Sequence, residues 1–354
     1  MRRGIADSPL HYGICPPWLF ERMKRLGKGI IEGIVEEWGS EEVLRRLSDP
    51  FWFQALGCLL GFDWHSSGLT TTLCGALKEG IRGMERDLGL WIAGGKGKTS
   101  LKTPQEIEVV GDKEGMDVSN LIYASRMSAK VDNSALQDGY QIYHHTFVFT
   151  RTGKWCVIQQ GMNEELGYAR RYHWLSDELC DFVCEPHNSI VSQRIENWVL
   201  NMVAKESEEA RKAAAFLSTE RPEKNLKELE RIEMLHLPRK HRVIIKRESL
   251  RKVLLKTYER KPKDFEELLG IEGVGPATIR ALALLGELLF GAKPSYKDPV
   301  KFSFAHGGKD GHPYPVNREV YDKSIEVLER AVRLAKWGKK DKWEALRKLA
   351  KFYR

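Results

Sequence analysis

The chain has no run of the ~18 consecutive apolar residues that a membrane helix needs, and its opening Met1-Arg-Arg-Gly lacks the apolar core of a signal peptide. Both absences point to a cytoplasmic protein without a membrane partner. Cysteine is scarce. Six thiols, at 15, 58, 74, 156, 180 and 184, are spread over 354 residues, which excludes a disulfide framework and leaves buried or reactive thiols. Cys180-x3-Cys184-x2-His187, with His173 upstream, has zinc-binding residue types, but a helical Cys pair four apart belongs more often to a core and no second Cys-x-x-Cys exists. Neither a metal nor another cofactor is therefore expected. Gly94-Gly-Lys-Gly-Lys-Thr-Ser100 misses the P-loop pattern, because Ile92 stands where its first glycine belongs and Pro104 follows too soon. There is no internal repeat and no Glu-x-Lys beside a strand-borne aspartate of the kind that marks many nucleases.

What is present is basic charge and enough apolar sequence for large cores. With 57 Lys+Arg against 49 Asp+Glu, the net charge is +8 and favours a polyanionic partner, nucleic acid first of all. A hydrophobic content of 42% over this length predicts two or three domains, and the pattern along the chain predicts an α+β protein, predominantly helical, with a small β-hairpin or sheet in the N-terminal half. The divisions fall at 1–189 (α+β, with the Gly/Lys loop and hairpin), 190–260 (charged helices) and 261–354 (C-terminal DNA-binding domain).

Along the chain, Leu19, Leu26, Ile30, Ile34 and Val35 recur at helical spacing. Apolar residues from Pro50 to Leu60 follow, and Asp63, Trp64, His65 and Ser66 sit together in a loop before a helix near 70–86. Lys96, Lys98 and Lys102 read as a flexible basic loop suited to phosphates. A short helix near 119–127 precedes Lys130, Asp132 and Asp138. Two strands, 141–150 and 154–160, then turn at Arg151-Thr-Gly153, and alternation sends one of His144 and His145 inward and the other outward. Lys130, Asp132 and Asp138 beside rigid strands have the makings of acid-base or amine chemistry, or are ordinary turn residues. Residues 190–217 and 222–233 read as helical, 237–247 as a basic linker or phosphate-contacting strand, and 301–316, with His306, Lys309, Asp310 and His312, as an ordered loop. Asn317 caps an amphipathic helix, and a basic C-terminal helix docks through Trp343, Leu346, Leu349 and Phe352.

The stretch 268–278, Leu-Leu-Gly-Ile-Glu-Gly-Val-Gly-Pro-Ala-Thr, places two glycines in a tight turn and a proline at the first position of a following helix that runs to Phe290. Gly273-Val274-Gly275 would turn backbone N–H groups outward beside a helix N-terminus, a site for one backbone phosphate. This is a helix-hairpin-helix signature. It resembles that of the endonuclease III-like DNA glycosylases, in which a Phe-Gly ends the second helix and a catalytic aspartate lies eight residues beyond the Phe. Here Phe290-Gly291 leads to Asp298 at that spacing and Thr278 matches the family's threonine, whereas Ala277 stands where bifunctional members carry lysine. Asp298 is thus either catalytic or a turn cap before Pro299. Over nearly its whole length the chain also resembles an archaeal and bacterial domain-of-unknown-function family, numbered 763.

The glycosylase resemblance implies a DNA-repair enzyme acting on duplex DNA with a damaged, flipped base. It would be an N-glycosylase, with AP-lyase chemistry if another lysine supplies the amine. Gly273, Val274, Gly275, Thr278, Lys96 and Lys98 would bind DNA, and Asp298, Lys130 and Asp132 would be catalytic. The alternatives are a metal-dependent nuclease using Asp63, Asp132 and Asp138, and a DNA-binding protein without catalysis.

Overall fold

The computed structural model describes residues 15–63, 66–192, 194–232, 247–300 and 318–349. Trp64, His65, the basic stretch from 237 to 246, the 301–316 loop, Asn317 and Phe352 lie outside the described residues.

The strands β1 (Leu90–Lys96), β3 (Gln141–Thr150), β4 (Trp155–Asn163), β5 (Tyr168–Leu175) and β6 (Ser189–Val191) form an antiparallel sheet in the order β1-β3-β4-β5-β6. A second, two-stranded piece pairs β2 (Leu136–Gln137) with β7 (Leu200–Asn201). The 141–150 and 154–160 hairpin is present with close to the expected bounds. Both faces of the main sheet are apolar: Val148, Cys156, Ile158 and Leu175 join one core, and Phe147, Phe149, Trp155, Val157 and Trp174 join another. Side chains alternate between faces along a strand, so such sequences require cover on both sides.

Helices supply that cover. The first core is closed by α1 (Pro17–Trp38), α2 (Ser40–Ser48), α3 (Pro50–Leu60) and α4 (Gly68–Gly80), together with α13 (Arg318–Leu334) and α14 (Lys339–Leu349) from the other end of the chain. The second is closed by α6 (Thr103–Glu114), α7 (Ser119–Lys130), α8 (Glu208–Ser218), α9 (Pro222–Ile232), α10 (Arg247–Arg260), α11 (Phe265–Gly270) and α12 (Pro276–Phe290). The short α5 (Glu85–Leu88) leads into β1. The fold is α+β, predominantly helical with a small antiparallel sheet. Local signals set several helix starts: Asp49 Oδ1 accepts from Phe51 and Trp52 N–H with Pro50 at the first position, and Asp264 Oδ1 accepts from Glu267 N–H at the head of α11. Each large apolar side chain buried in these layers contributes about 1.5–3 kcal/mol.

Several expectations are corrected. Because helices cover both sheet faces, His144 and His145 point to opposite faces yet are both buried. Gly97–Lys102 is a 3-10 turn rather than a flexible loop, closed by Ser100 Oγ donating to Gly97 O and Thr103 Oγ1 to Ser100 O; Pro104 then lies in the first turn of α6. Residue 192 and residues 194–204 are irregular apart from β7, and α-helix begins only at α8, after a 3-10 turn at Lys205–Ser207. Cys180 and Cys184 are not helical, and Trp343 is exposed at the surface beneath the Arg347 guanidinium.

One ionic group ties distant segments together. On β5, Arg170 is fully buried; its Nη1 donates to Asp138 Oδ2 at 2.9 Å and Asp298 Oδ1 at 3.0 Å, and its Nη2 donates to Asp298 Oδ2 at 2.7 Å. Arg170→Met strands two carboxylates in the interior, and we expect a loss of about 3–5 kcal/mol in chemical denaturation. Adding Asp138→Asn and Asp298→Asn should recover part of it. A loss below about 1 kcal/mol in the single variant would show that the group does not hold the fold.

Candidate functional site

An open cleft of about 750 Å³ lies between the 97–102 turn, α7 and the turn joining α11 to α12. Its wall includes Ser100 and Leu101 from the first, Tyr123, Ser125, Arg126 and Lys130 from the second, and Gly273, Val274, Gly275 and Pro276 from the third, with His145 contributed by the sheet. Three stretches far apart in sequence thus meet at one cavity.

Each rim has a local cause. Gly94, at φ +87°, kinks β1, and a Cβ there would fall 2.2 Å from His145 O and 2.5 Å from Thr103 Oγ1, so only glycine allows this close approach. The kink is pinned by Glu106, whose Oε2 accepts from Gly94 N–H and from Lys78 Nζ, while Lys78 also donates to Gly94 O. The exposed Lys96 and Lys98 follow directly, just outside the cleft wall. At the opposite rim, Gly273 has φ +91°, a conformation that favours glycine. Gly275 is extended, and a Cβ on it would meet nothing nearer than Gly273 O at 3.9 Å. Pro276 opens α12, and no side chain caps that helix. A 15-residue helix thus presents its positive end at the cleft.

Lys130 is the last residue of α7, and its Nζ donates to Val274 O at 2.5 Å and Ile271 O at 3.4 Å. Burial lowers its pKa, opposed by the Glu272 carboxylate. Beside it, Ser125 Oγ and His145 Nε2 are 3.0 Å apart. Burial pushes His145 down to about 4 and His144 down to about 3, the latter helped by the neighbouring His145 and Lys96, so both imidazoles are neutral at pH 7.

The remaining residues singled out from the sequence lie elsewhere. Thr278 is a buried anchor of α12, and Val274, though it borders the cleft, has a buried side chain, leaving Gly273 and Gly275 as the accessible part of the turn. Asp132 points into the core, away from Lys130: His187 Nε2 is 2.5 Å from its Oδ1, and Gln159 Nε2 and Trp174 Nε1 donate to its Oδ2 at 2.5 and 3.0 Å. Asp138 accepts from Arg170 and Tyr172 through Oδ2 and from Tyr140 N–H through Oδ1. Asp298 also accepts from Glu196 N–H at 2.6 Å and Val300 N–H at 3.2 Å, and it does not line the cleft. Lys130, Asp132 and Asp138 therefore do not converge. Among the described residues, no group of three or more His, Cys, Asp or Glu is arranged to hold a metal. His187 is engaged by Asp132, and His173 Nδ1 lies 3.0 Å from Leu47 O. No helix of the described residues is long and apolar enough to cross a membrane.

Residues 4–316 match the family described as protein of unknown function, DUF763. The chain belongs to that family. No curated protein and no solved structure matches it. In this DUF763 chain, sequence reasoning missed Ser125 and Arg126 in the cleft and the buried Arg170 and Arg171. Ser125 and Arg126 carry no motif, and the two arginines lie on a strand whose charges conceal its burial.

The neutral histidines set a pH dependence. His144, His145 and His173 all have pKa values below the ordinary 6.5, so the folded state resists protons that the unfolded chain accepts. The stability they contribute is present above about pH 6.5 and is lost as pH falls toward 4, at about 1.4 kcal/mol per pH unit for each histidine. Urea denaturation at pH 7, 6 and 5 should show this decline, with His145→Gln reducing its slope by about a third. An identical slope in that variant would mean that His145 takes up protons equally in the folded and unfolded chain.

Proposed function

We propose that the chain is a DNA-repair protein that grips a duplex backbone at its α11–α12 turn and acts on a damaged nucleotide as an N-glycosylase, with lyase chemistry supplied by Lys130. The observation that carries this reading is the shared cleft, in which an uncapped helix N-terminus, a glycine turn open to close approach and a half-buried amine face one space. We read α11, the 271–275 turn and α12 as a helix-hairpin-helix element, a reading supported by the positive φ of Gly273 and by Pro276 at the first position of α12. Such an element would fix one phosphate by backbone N–H groups and the helix dipole, with no reading of base sequence. Arg126, Lys96 and Lys98 would add the salt-sensitive part of the affinity.

The amine must be neutral to attack the C1′ of an abasic sugar, and burial moves Lys130 in that direction. Attack forms an imine and releases water, and loss of a C2′ proton then expels the 3′ phosphate. Before attack the amine must leave Val274 O and Ile271 O, so substrate binding at the turn and activation of the lysine would be coupled. Asp298, chelated by Arg170, touches no substrate in this scheme and instead holds the Glu196 backbone.

Gly275→Leu separates binding from folding, because its Cβ would meet nothing nearer than Gly273 O at 3.9 Å while the side chain would stand in the path of a phosphate. Its melting temperature should stay near that of the parent, while duplex affinity falls about tenfold, or ~1.4 kcal/mol. Unchanged affinity removes the turn from the interface. For the chemistry, borohydride should trap a covalent adduct with abasic DNA that Lys130→Ala abolishes. Trapping that survives in Lys130→Ala excludes this lysine, and base release without trapping indicates a monofunctional glycosylase.

A further inference from the structure

The cleft holds a second candidate nucleophile besides Lys130. At about 100° per residue along α7, Ser125 falls between the core-facing Leu121 and Ser128 and the cleft-facing Ile122 and Ala129. The residue is 1% exposed, so its hydroxyl stands at the floor of the cleft rather than on the rim. A serine inside a helix commonly turns its hydroxyl back to the carbonyl four residues earlier. Ser125 Oγ instead lies 3.0 Å from Nε2 of His145, which the sheet presents to the same floor.

The polarity of that contact is set from behind. Strands β3 and β4 pair His145 with Gln159, and Gln159 Nε2 donates to Ser128 O at 3.3 Å and Asp132 Oδ2 at 2.5 Å. A main-chain carbonyl can only accept, so the amide is fixed with its Oε1 toward His145 Nδ1, and neither of those two atoms has another partner. The amide oxygen also only accepts. Nδ1 thus carries the imidazole proton, Nε2 keeps its lone pair, and the Ser125 hydroxyl donates to Nε2. A serine, its base and the group that orients the base follow in the order that nucleophilic catalysis requires. Gln159, held by the Asp132 carboxylate, is the positioning residue.

Two further features of the cleft select the electrophile. The uncapped N-terminus of α12 offers backbone N–H groups and a positive helix end to an oxygen that gains charge. Leu101, Pro104, Ile122 and Val274 supply apolar wall for a hydrocarbon group. We propose that Ser125 is a nucleophile activated by His145 and that the cleft accepts the acyl group of a carboxylic ester, a chemistry that goes beyond the DNA reading and does not depend on it. Oγ attacks the carbonyl carbon as its proton passes to His145 Nε2, and the carbonyl oxygen becomes an oxyanion. Collapse breaks the bond to the alcohol oxygen, which takes the proton from Nε2 and leaves as the alcohol. Water then attacks the acyl-serine by the same proton route, releasing the carboxylic acid and restoring Ser125. Burial makes His145 a weak base, so the ester best served is an activated one, whose leaving group needs little help from an acid.

The full chain is mixed with p-nitrophenyl acetate and butyrate, following p-nitrophenolate release and, by mass spectrometry of the quenched protein, the acylated residue. Release should saturate with ester concentration, and the acyl group should be found on Ser125. Ser125→Ala, which puts the best helix former into α7, should keep the parent's melting temperature and lose the adduct. Release should fall at least about hundredfold in that variant, and His145→Gln should lower it by a similar factor. Long-range proton–nitrogen NMR of the histidine rings reads the relay without substrate. The His145 signals, assigned by their absence from His145→Gln, should show the proton on Nδ1, and Gln159→Leu should move it toward Nε2, a shift that mere support of the fold would not produce. An Nε2 proton in the parent, no saturable release, release that survives in Ser125→Ala, or acylation confined to lysines overturns the proposal. Duplex binding without acylation removes it and leaves the DNA reading in place, whereas acylation without duplex binding does the opposite.

Discussion

A sheet buried on both faces constrains everything else in this molecule. Strands β3, β4 and β5 carry His144, His145, Gln159, Gln160, Arg170, Arg171 and His173 into regions that water does not reach, and a buried polar group without a partner costs on the order of 1–3 kcal/mol. The polar side chains are therefore bound into networks: Arg171 reaches His173, Gln54 and Thr70, Gln160 reaches Ser67 O, and Gln159 reaches Asp132 and Ser128 O. These bonds lock the helical layers to the sheet at fixed angles. The cleft exists because α7 and the 97–102 turn are both fastened to that sheet, α7 in part through Ser125 and His145.

Two cores result, and neither follows chain order. The first joins residues between Met23 and Leu349, the second residues between Trp91 and Leu285. Helices α13 and α14 finish against α1 and α3, on the sheet face away from α11 and α12. The segment leading out of α12 returns to the sheet through Asp298, whose carboxylate meets Arg170 across 128 residues of sequence.

Much of this was legible where local signals suffice. The α3 start was marked by Asp49-Pro50, the hairpin by alternation around Arg151-Thr-Gly153, and α12 by a proline after paired glycines. Strand β5, Tyr-Ala-Arg-Arg-Tyr-His-Trp-Leu, defeats such reading because its charges suggest solvent while each finds a partner supplied from elsewhere. The candidate site was legible in part. Lys130, Gly273 and Gly275 meet in the cleft, but nothing local reveals that the Asp132 and Asp298 carboxylates are consumed by His187 and Arg170. Those pairings are tertiary facts, made by residues tens to more than a hundred positions away.

The Gly94 kink carries one more consequence. Its backbone is wedged between His145 O and Thr103 and tied to Glu106, so the main chain leading to Lys96 and Lys98 is already set before any partner arrives. Association with a polyanion would then freeze lysine side chains but little backbone, avoiding the roughly 1–2 kcal/mol per residue that ordering a loose loop incurs. The thermodynamic signature of such a rim is ion release with a small heat-capacity change, unlike that of a tail that folds as it binds.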